Sequence, residues 1–333
     1  MGRIFNIFIC AVAAIVVATS CMDSDHIWSV NDKSVEITFT ANLSNKMSSS
    51  RNFGDGSTVD EVAWAIYENG TIATDLTIHR GTLKLVDQSA SFSATLVLGH
   101  TYDIAFFAYK ADGEAVEQVG RAANAKNFNV LFEEKKLSLK SNTLKANDEE
   151  LDCFWFVEEG LTVIKPLQEG KKFTLVRPMA QLSFAAEDVD IQGALASGFS
   201  ISDTALSATV YTEFDIFEGK VIKESAAKVE FARTDSPIDN PKEVVVTSNN
   251  NKSYKLLATT YLFANKEDLS SSIELYTWDQ AGDYLWNISC DTAPIRRNYR
   301  TFLVGNLLTN VAKFEILIEG GYDEPNNNYS PAE

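Results

Sequence analysis

Short runs in which apolar and polar residues alternate are the feature that most constrains the fold of this chain. Between residues 35 and 43 every second residue is apolar, which is the period of a half-buried β-strand. Comparable runs recur along the 333 residues and are separated by turn residues such as Asn69-Gly70. The run at 104–108 is apolar on both faces, as expected of a central strand. The pattern predicts an all-β protein built from sandwiches, with one short helix at 190–196 that stops at Gly198.

The length of the chain predicts two domains. Domains average about 150 residues, and the chain has 333. We place the boundary near residue 176, between an N-terminal sandwich at 34–176 and a C-terminal sandwich at 177–322. A polar tether at 21–33 precedes the first sandwich, and a polar tail at 323–333 follows the second.

The first twenty residues have the character of an export signal. Arg3 is followed by an apolar run at 4–18, interrupted by Asn6, which is too short to span a bilayer and fits the core of a secretory signal. The small residues that lead to Cys21 resemble a bacterial lipobox, where the signal is cut before the cysteine and the thiol is lipidated. An ordinary secretory signal with an incidental cysteine is the alternative. The lipobox interpretation predicts a lipoprotein, palmitate-modified at Cys21, on the outer membrane.

Charge and motif content exclude several classes of function. Lys and Arg number 29 and Asp and Glu 46, so the formal net charge is −17, whereas nucleic-acid binding needs clustered positive charge. The three histidines are scattered, and the common nucleotide, hydrolase and metalloprotease motifs are missing from the sequence. We therefore predict no catalytic residues, no metal and no cofactor. An enzyme would need a cleft with convergent acidic side chains, which the adjacent acidic pairs of this sequence do not by themselves provide.

The cysteines and tryptophans each leave two interpretations open. Cys153 and Cys290 form a disulfide in an oxidising compartment, or they are two separate half-buried small side chains. The tryptophans form sugar-stacking platforms, or they belong to the core; three of them lie within strand-like runs, which favours the core. The five are Trp28, Trp64, Trp155, Trp278 and Trp286.

Three stretches resemble the type V pilins, also called fimbrillins. The lipobox and the first alternating strand are followed at 50–56 by SRNFGDG, with an Arg and a Gly-Asp-Gly loop. A second stretch, RPMAQL at 177–182, resembles the start of the C-terminal domain of fimbrillin-like lipoproteins. The third and most specific is PIRRNYRT at 294–301, followed by GNLLT at 305–309. The three occur in the order found in that family and span nearly the whole chain.

The resemblance implies a fold and an assembly route. The fold is two transthyretin-like Greek-key β-sandwich domains in tandem. In the route, a surface-exposed lipoprotein is cut after an Arg in its first loop, and Arg51 is the matching position here. The first strand then leaves, and the C-terminal strand of a neighbouring subunit fills the groove. The residues that would leave with that strand are Val35, Ile37, Phe39, Ala41 and Leu43.

The C-terminal strand has two interpretations. Phe314, Ile316 and Ile318 are large apolar residues at every second position of this strand. Strand donation requires such a pattern, in which alternate side chains serve as anchors. Alternatively this strand completes its own domain. The segment is shorter than in the stalk pilins and only a polar tail follows it, which fits a tip, anchor or minor subunit, or a solitary lipoprotein that never polymerises.

We therefore expect a structural and adhesive component of a cell-surface pilus, or fimbrium. Its partners would be other pilus subunits, the outer membrane through its lipid, and a host or glycan ligand. The alternative is a glycan-binding surface lipoprotein that does not polymerise. That alternative requires two or more exposed aromatic residues on one face, whereas the pilin interpretation predicts buried tryptophans.

Overall fold

A computed structural model describes residues 33–44, 54–164, 170–198, 200–238, 243–246, 252–308 and 313–320. The predicted signal, most of the tether and the polar tail lie outside the described residues. So do Cys21, Trp28 and Arg51.

The described residues form strands numbered here in chain order, and one α-helix, α1 (Asp188–Ala196). The first eleven strands are β1 (Ser34–Leu43), β2 (Glu61–Glu68), β3 (Thr71–Ile72), β4 (Arg80–Lys84), β5 (Ser89–Val97), β6 (Thr101–Tyr109), β7 (Gln118–Val119), β8 (Phe128–Leu131), β9 (Lys136–Leu139), β10 (Phe154–Thr162) and β11 (Lys171–Leu175). The others are β12 (Met179–Ala186), β13 (Asp203–Tyr211), β14 (Glu213–Asp215), β15 (Lys220–Val221), β16 (Ala226–Asp235), β17 (Glu243–Val246), β18 (Lys252–Phe263), β19 (Leu269–Trp278), β20 (Tyr284–Ile295), β21 (Arg300–Asn306) and β22 (Lys313–Glu319).

These strands make five sheets, so the all-β prediction is confirmed. Sheet A has the order β11-β1-β5, and sheet B the order β10-β6-β2-β4-β7 with β3 paired to β2. Sheet C is β15-β14-β9-β8. Sheet D is β17-β18-β12-β21-β22, and sheet E is β16-β13-β19-β20.

Sheet B is covered on both faces, which explains the run of apolar residues at 104–108. Strand β6 lies between β2 and β10, so the predicted central position is confirmed. Ile104 and Phe106 share a core cluster with β1 of sheet A. Ala105 and Phe107 point to the opposite face and join a second, larger cluster. A strand that is buried on both faces has no solvent-facing side, so its sequence does not alternate between apolar and polar residues.

The two halves of the sequence share sheet C. Strands β8 and β9 come from the first half and β14 and β15 from the second, with Leu137 paired to Phe214. The larger core cluster contains buried residues from both halves of the sequence, the first being Ala63 and the last Leu307. The chain passes from sheet A to sheet D between β11 and β12. The division at residue 176 stays a prediction, and sheet C joins the segments on its two sides.

The predicted hairpin turn and helix end agree with the structure, because both contain residues that readily adopt positive φ. Asn69 and Gly70 both have positive φ, 52° and 77°, and join β2 to β3 as the hairpin signal predicts. Helix α1 begins two residues before the predicted start, and Gly198 follows it with φ 78°. In strand β10 a bulge between Glu158 and Leu161 interrupts the register of its pairing with β6.

Two global features of the described ranges bear on function. No helix there combines the length and apolarity needed to cross a membrane. Nor do three or more His, Cys, Asp or Glu side chains meet there as a potential metal site.

Candidate functional site

Strand β1, which the sequence singles out as the strand to be displaced, is the middle strand of sheet A. It pairs antiparallel with β5 from Ser34↔Val97 to Asn42↔Ser89. On its other side it pairs parallel with β11 from Phe39↔Lys171 to Leu43↔Leu175. Within the described residues, β1 is the only sheet partner of either neighbour. Loss of β1 would therefore leave two facing strands with unpaired backbone groups, the template on which an added strand pairs.

The apolar side of β1 fills a groove over sheet B. Ile37 and Phe39 are 0% exposed, Ala41 and Leu43 are buried, and Val35 is half-buried against the same cluster. The Phe39 ring lies 5.3 Å from that of Phe92 and 6.3 Å from that of Phe173, centroid to centroid. Burial of Ile37, Phe39 and Leu43 contributes roughly 1.5–3 kcal/mol each. The sequence thus placed all five residues of this groove on one face.

The other side of β1 is polar and closely fitted. The Thr38 and Thr40 hydroxyls each lie 2.9 Å from a serine hydroxyl of β5. Gly170, just before β11, has φ +69°, and a Cβ there would lie 2.5 Å from the Thr38 carbonyl oxygen. Only glycine fits this approach of backbone to backbone.

The proposed donor strand, β22, lies in a different sheet and is held less firmly. Among the described residues it is an edge strand that pairs with β21 alone, from Arg300↔Glu319 to Asn306↔Lys313. Ile316 is 39% exposed, and Phe314 and Ile318 are half-buried. In this chain β22 extends sheet D, and its donation to a neighbouring subunit stays a prediction.

Two of the three stretches that carry the fimbrillin resemblance meet in space at a buried ion pair. Arg177 donates from Nε to Asp152 Oδ1 at 2.8 Å and from a terminal nitrogen to Asp152 Oδ2 at 3.0 Å. The same nitrogen donates to the Gly54 carbonyl at 2.7 Å, and the guanidinium lies 4.3 Å from the centroid of the Phe154 ring. Arg177 is 1% exposed and Asp152 2%. We call these contacts the Arg177 clamp; they hold the start of the described chain after β1.

A second set of contacts holds the same segment. The Gly54 backbone N–H donates to Glu149 Oε2 at 2.8 Å, and the Thr58 hydroxyl donates to the Glu149 carbonyl at 2.8 Å. Glu149 belongs to a short 3-10 turn at Glu149–Leu151. Asp148 immediately precedes this turn, and its side chain accepts a hydrogen bond from the Glu150 backbone N–H at 2.9 Å. Its partly buried site raises the pKa of the Asp148 carboxyl. The segment is therefore fixed from two directions.

Sequence reasoning missed the acidic members of this region. Nothing in the sequence around the Glu149-Glu150 pair indicates that Glu149 bonds the segment after β1. The available signal was Asp152, a single acid that opens an apolar run, and Arg177, a single cation between two strands. Their pairing across 25 positions cannot be read from local pattern.

The tryptophans divide between core and surface. Trp64 is buried with its ring centroid 3.7 Å from that of Phe92, and Trp155 donates from Nε1 to the Ile216 carbonyl at 2.8 Å. Trp286 is half-buried against the core cluster. Trp278 is half-buried among surface aromatic side chains. The prediction of buried tryptophans therefore describes Trp64 and Trp155 and is incomplete for the other two.

Cys153 and Cys290 are both buried and both free. They are two separate small core side chains, not a disulfide. Burial raises the pKa of each thiol, which disfavours the reactive thiolate.

Comparison with solved structures gives distant similarities over nearly the whole chain. The tip fimbrial protein Mfa3 from Porphyromonas gingivalis, with C-terminal truncation, is 11% identical, with a TM-score of 0.43, covering 86% of this chain and 98% of that one. A fimbrial assembly protein from Parabacteroides distasonis is 10% identical, with a TM-score of 0.41, covering 89% of this chain and 98% of that one. None of the curated proteins matches the chain.

A sequence-family profile also matches most of the chain. The profile of a family of unknown function, DUF6562, matches residues 28–331. That range takes in all five sheets, the Arg177 clamp and both candidate exchange strands. The chain therefore belongs to the DUF6562 family of unknown function.

Proposed function

We propose that this protein is a lipid-anchored structural and adhesive component of a type V cell-surface pilus, in a minor, tip or anchor position. In this proposal Cys21 carries the lipid of the precursor. Where the subunit is incorporated by strand exchange, a protease cuts after Arg51, β1 leaves together with the lipid-bearing residues, and a strand of another subunit takes its place. The single observation that carries the proposal is the position of β1. It is the only sheet partner of both β5 and β11 within the described residues, and its large apolar side chains are buried.

The Arg177 clamp supports cleavage at Arg51 as the event that separates β1 from the body of the protein. Gly54 lies three residues after Arg51 in the sequence and is bonded to both Arg177 and Glu149. A chain that begins at Asn52 would stay attached through these bonds. Residues before the cut would be held mainly by the pairing and burial of β1 itself.

The C-terminal strand supports a minor, tip or anchor position over a stalk position. Strand β22 has seven residues, against the ten of β1. Its three candidate anchors would fill fewer positions than the five that β1 vacates. A neighbour's longer strand would fill the groove of this chain more completely than a copy of β22.

Mass spectrometry of the mature chain from the native cell surface tests the route. An N-terminus at Asn52, with residues 21–51 missing, is the expected result for a strand-exchanged subunit. A lipidated Cys21 at the N-terminus of all copies would instead identify an anchor or a solitary lipoprotein.

A matched pair of variants tests the cleavage position in cells. Arg51→Ala should block assembly, while Lys46→Ala, which removes another cation from the same stretch, should leave assembly unchanged. Normal pili from the Arg51→Ala strain would contradict cleavage at this residue.

A reconstitution tests the groove directly. After cleavage by an arginine-specific protease, the segment that contains β1 is separated from the body in denaturant and the body is refolded. A synthetic peptide with the sequence of 34–43 should then raise the melting temperature of the body that lacks β1. The control peptide exchanges Ile37 and Phe39 for Asp and should have no effect. A body whose melting temperature equals that of the uncut protein without any peptide would contradict the need for a replacement strand.

A further inference from the structure

Three aromatic side chains lie together on the outer face of sheet E, away from the proposed exchange groove. Along β19 the core-facing residues Leu275 and Thr277 are buried, and Tyr276 and Trp278 project to the other face. Tyr284 on β20 pairs directly with Trp278 and is 53% exposed. We call Tyr276, Trp278 and Tyr284 the aromatic platform.

The platform has a defined arrangement. The ring centroids of Trp278 and Tyr276 are 6.5 Å apart, and those of Trp278 and Tyr284 are 6.0 Å apart with the rings at 69°. The Arg233 guanidinium lies 4.7 Å from the centroid of the Trp278 ring. Arg233 is itself held by Asp203, with 3.0 Å between Nε and Oδ2. The three rings and the guanidinium are thus fixed relative to one another.

The two cations that adjoin the platform are each paired with an acidic side chain. Arg233 bonds to Asp203, and Lys228 lies 3.3 Å from Glu274. The Tyr276 hydroxyl donates to Glu274 at 2.6 Å, and this bond raises the pKa of Tyr276 to about 12. Asp279 and Asp283 flank Trp278 and Tyr284 in the sequence, and Glu230 adds to the raised pKa of Tyr276. The platform therefore combines an aromatic surface with an excess of negative charge.

Uncharged polar groups complete the surface. The Tyr284 hydroxyl donates to Asn287 Oδ1 at 3.3 Å, and both residues are exposed. Amide and hydroxyl groups beside aromatic rings can bond alcohols while the rings receive apolar C–H groups. A pyranose ring presents both, because its axial C–H bonds make an apolar face and its hydroxyls make a polar rim.

We propose that the aromatic platform binds neutral polysaccharide. Sugar C–H faces would lie on Tyr284 and Trp278, and sugar hydroxyls would bond Asn287 and the Arg233–Asp203 pair. Single-stranded nucleic acid also stacks on aromatic rings, but it requires a positive groove, which the predominantly acidic surroundings of the platform do not form. The proposal does not depend on pilus assembly, since it concerns a surface that is complete in the uncleaved chain.

Affinity electrophoresis tests the proposal with the uncleaved chain in gels that contain one polysaccharide at a time. The probes are soluble β-glucan, mannan and xylan, which are neutral, and polygalacturonate, which is acidic. At least one neutral probe should retard the protein. Tyr284→Ala and Trp278→Ala should each weaken that retardation by about tenfold, the loss expected for one aromatic contact.

The matched control is Tyr299→Ala. Tyr299 also pairs with an arginine, since the Arg296 guanidinium lies 4.6 Å from its ring centroid, but it lies outside the platform. Its loss should leave retardation unchanged. Circular dichroism and thermal melting verify that each variant is folded, and Tyr284→Ala keeps the test valid if Trp278→Ala unfolds the hairpin.

Several outcomes would overturn the proposal. These are no retardation by any neutral probe, equal retardation of the folded platform variants and the wild type, or retardation by polygalacturonate alone that salt abolishes. Concentration-dependent dimerisation lost in Tyr284→Ala would likewise overturn it, since the platform would then be a contact between two copies. Failure here leaves the result of the Arg51 experiments unaffected.

Discussion

Strands β1 and β22 stand near opposite ends of the described chain, and the structure holds them in opposite ways. Strand β1 is paired on both sides and buries Ile37 and Phe39 completely. Strand β22 is paired on one side and leaves Ile316 39% exposed. Alternating apolar residues alone do not distinguish them. The difference comes from what each strand packs against.

This contrast separates two requirements of strand exchange. A strand that is replaced must leave a deep groove, or nothing would drive its replacement. A strand that is donated must detach from its own sheet at small cost. The complete burial of Ile37 and Phe39 fits the first requirement, and the one-sided pairing of β22 fits the second. Substitutions in the two strands should therefore have different consequences.

The largest expected effect is at the segment that follows β1. Arg177→Ala leaves the buried Asp152 carboxylate without its partner and should lower the free energy of unfolding by about 3–5 kcal/mol. Arg233→Ala removes a more exposed ion pair with Asp203 and should cost about 1 kcal/mol or less. Urea denaturation measures both. Equal losses would mean that the Arg177 clamp contributes no more than a surface pair.

A chemically identical substitution compares the two strands directly. Ile37→Ala removes fully buried methylenes and should cost about 2–5 kcal/mol. Ile316→Ala removes the same atoms from a half-open edge and should cost about 1 kcal/mol or less, because little area is lost. The measurement is again urea denaturation, with equal slopes required for the comparison. A larger loss at Ile316 would reverse the assignment of the firm and the detachable strand.

The sequence predicted the parts of the molecule that are governed by local pattern. Strand β1, the Asn69-Gly70 hairpin and the stop at Gly198 all follow from alternation or from residues that adopt positive φ. Sheet C was not predicted because its strands have only two to four residues, too few to show a period. It pairs segments that lie far apart in the sequence.

The candidate sites divide in the same way. The five groove residues of β1 were readable because one face of a strand repeats every two positions. The Arg177 clamp and the aromatic platform were not, since each depends on residues that distant parts of the chain bring together. Trp278 lies in the same kind of alternating run as a core residue, and only the direction of sheet E shows that it faces outward.

A smaller effect concerns the turn that presents Glu149 to the segment after β1. Because burial raises the pKa of Asp148, the folded protein favours the protonated carboxyl. The stability that this carboxyl contributes is present below its pKa in the unfolded chain and is lost as the pH rises through its pKa in the folded protein. Asp148→Asn keeps an oxygen for the Glu150 N–H and removes the charge. The variant should therefore gain stability relative to wild type as the pH rises from about 4 to about 7. Urea denaturation at the two pH values measures the gain, and a difference that stays constant would contradict it.

The smallest perturbation uses the two native thiols to ask whether the halves of the chain unfold together. Cys153 and Cys290 lie on either side of residue 176, yet both belong to the larger core cluster. In the native protein neither should react with iodoacetamide, and after unfolding without reductant both should react, because both are free. Across a urea series the two should become labelled in one transition, since a shared core opens cooperatively. Mass spectrometry of the two cysteine peptides separates their midpoints. Two well-separated midpoints would show instead that sheet C does not couple the halves, and that the loss of β1 destabilises only the N-terminal one.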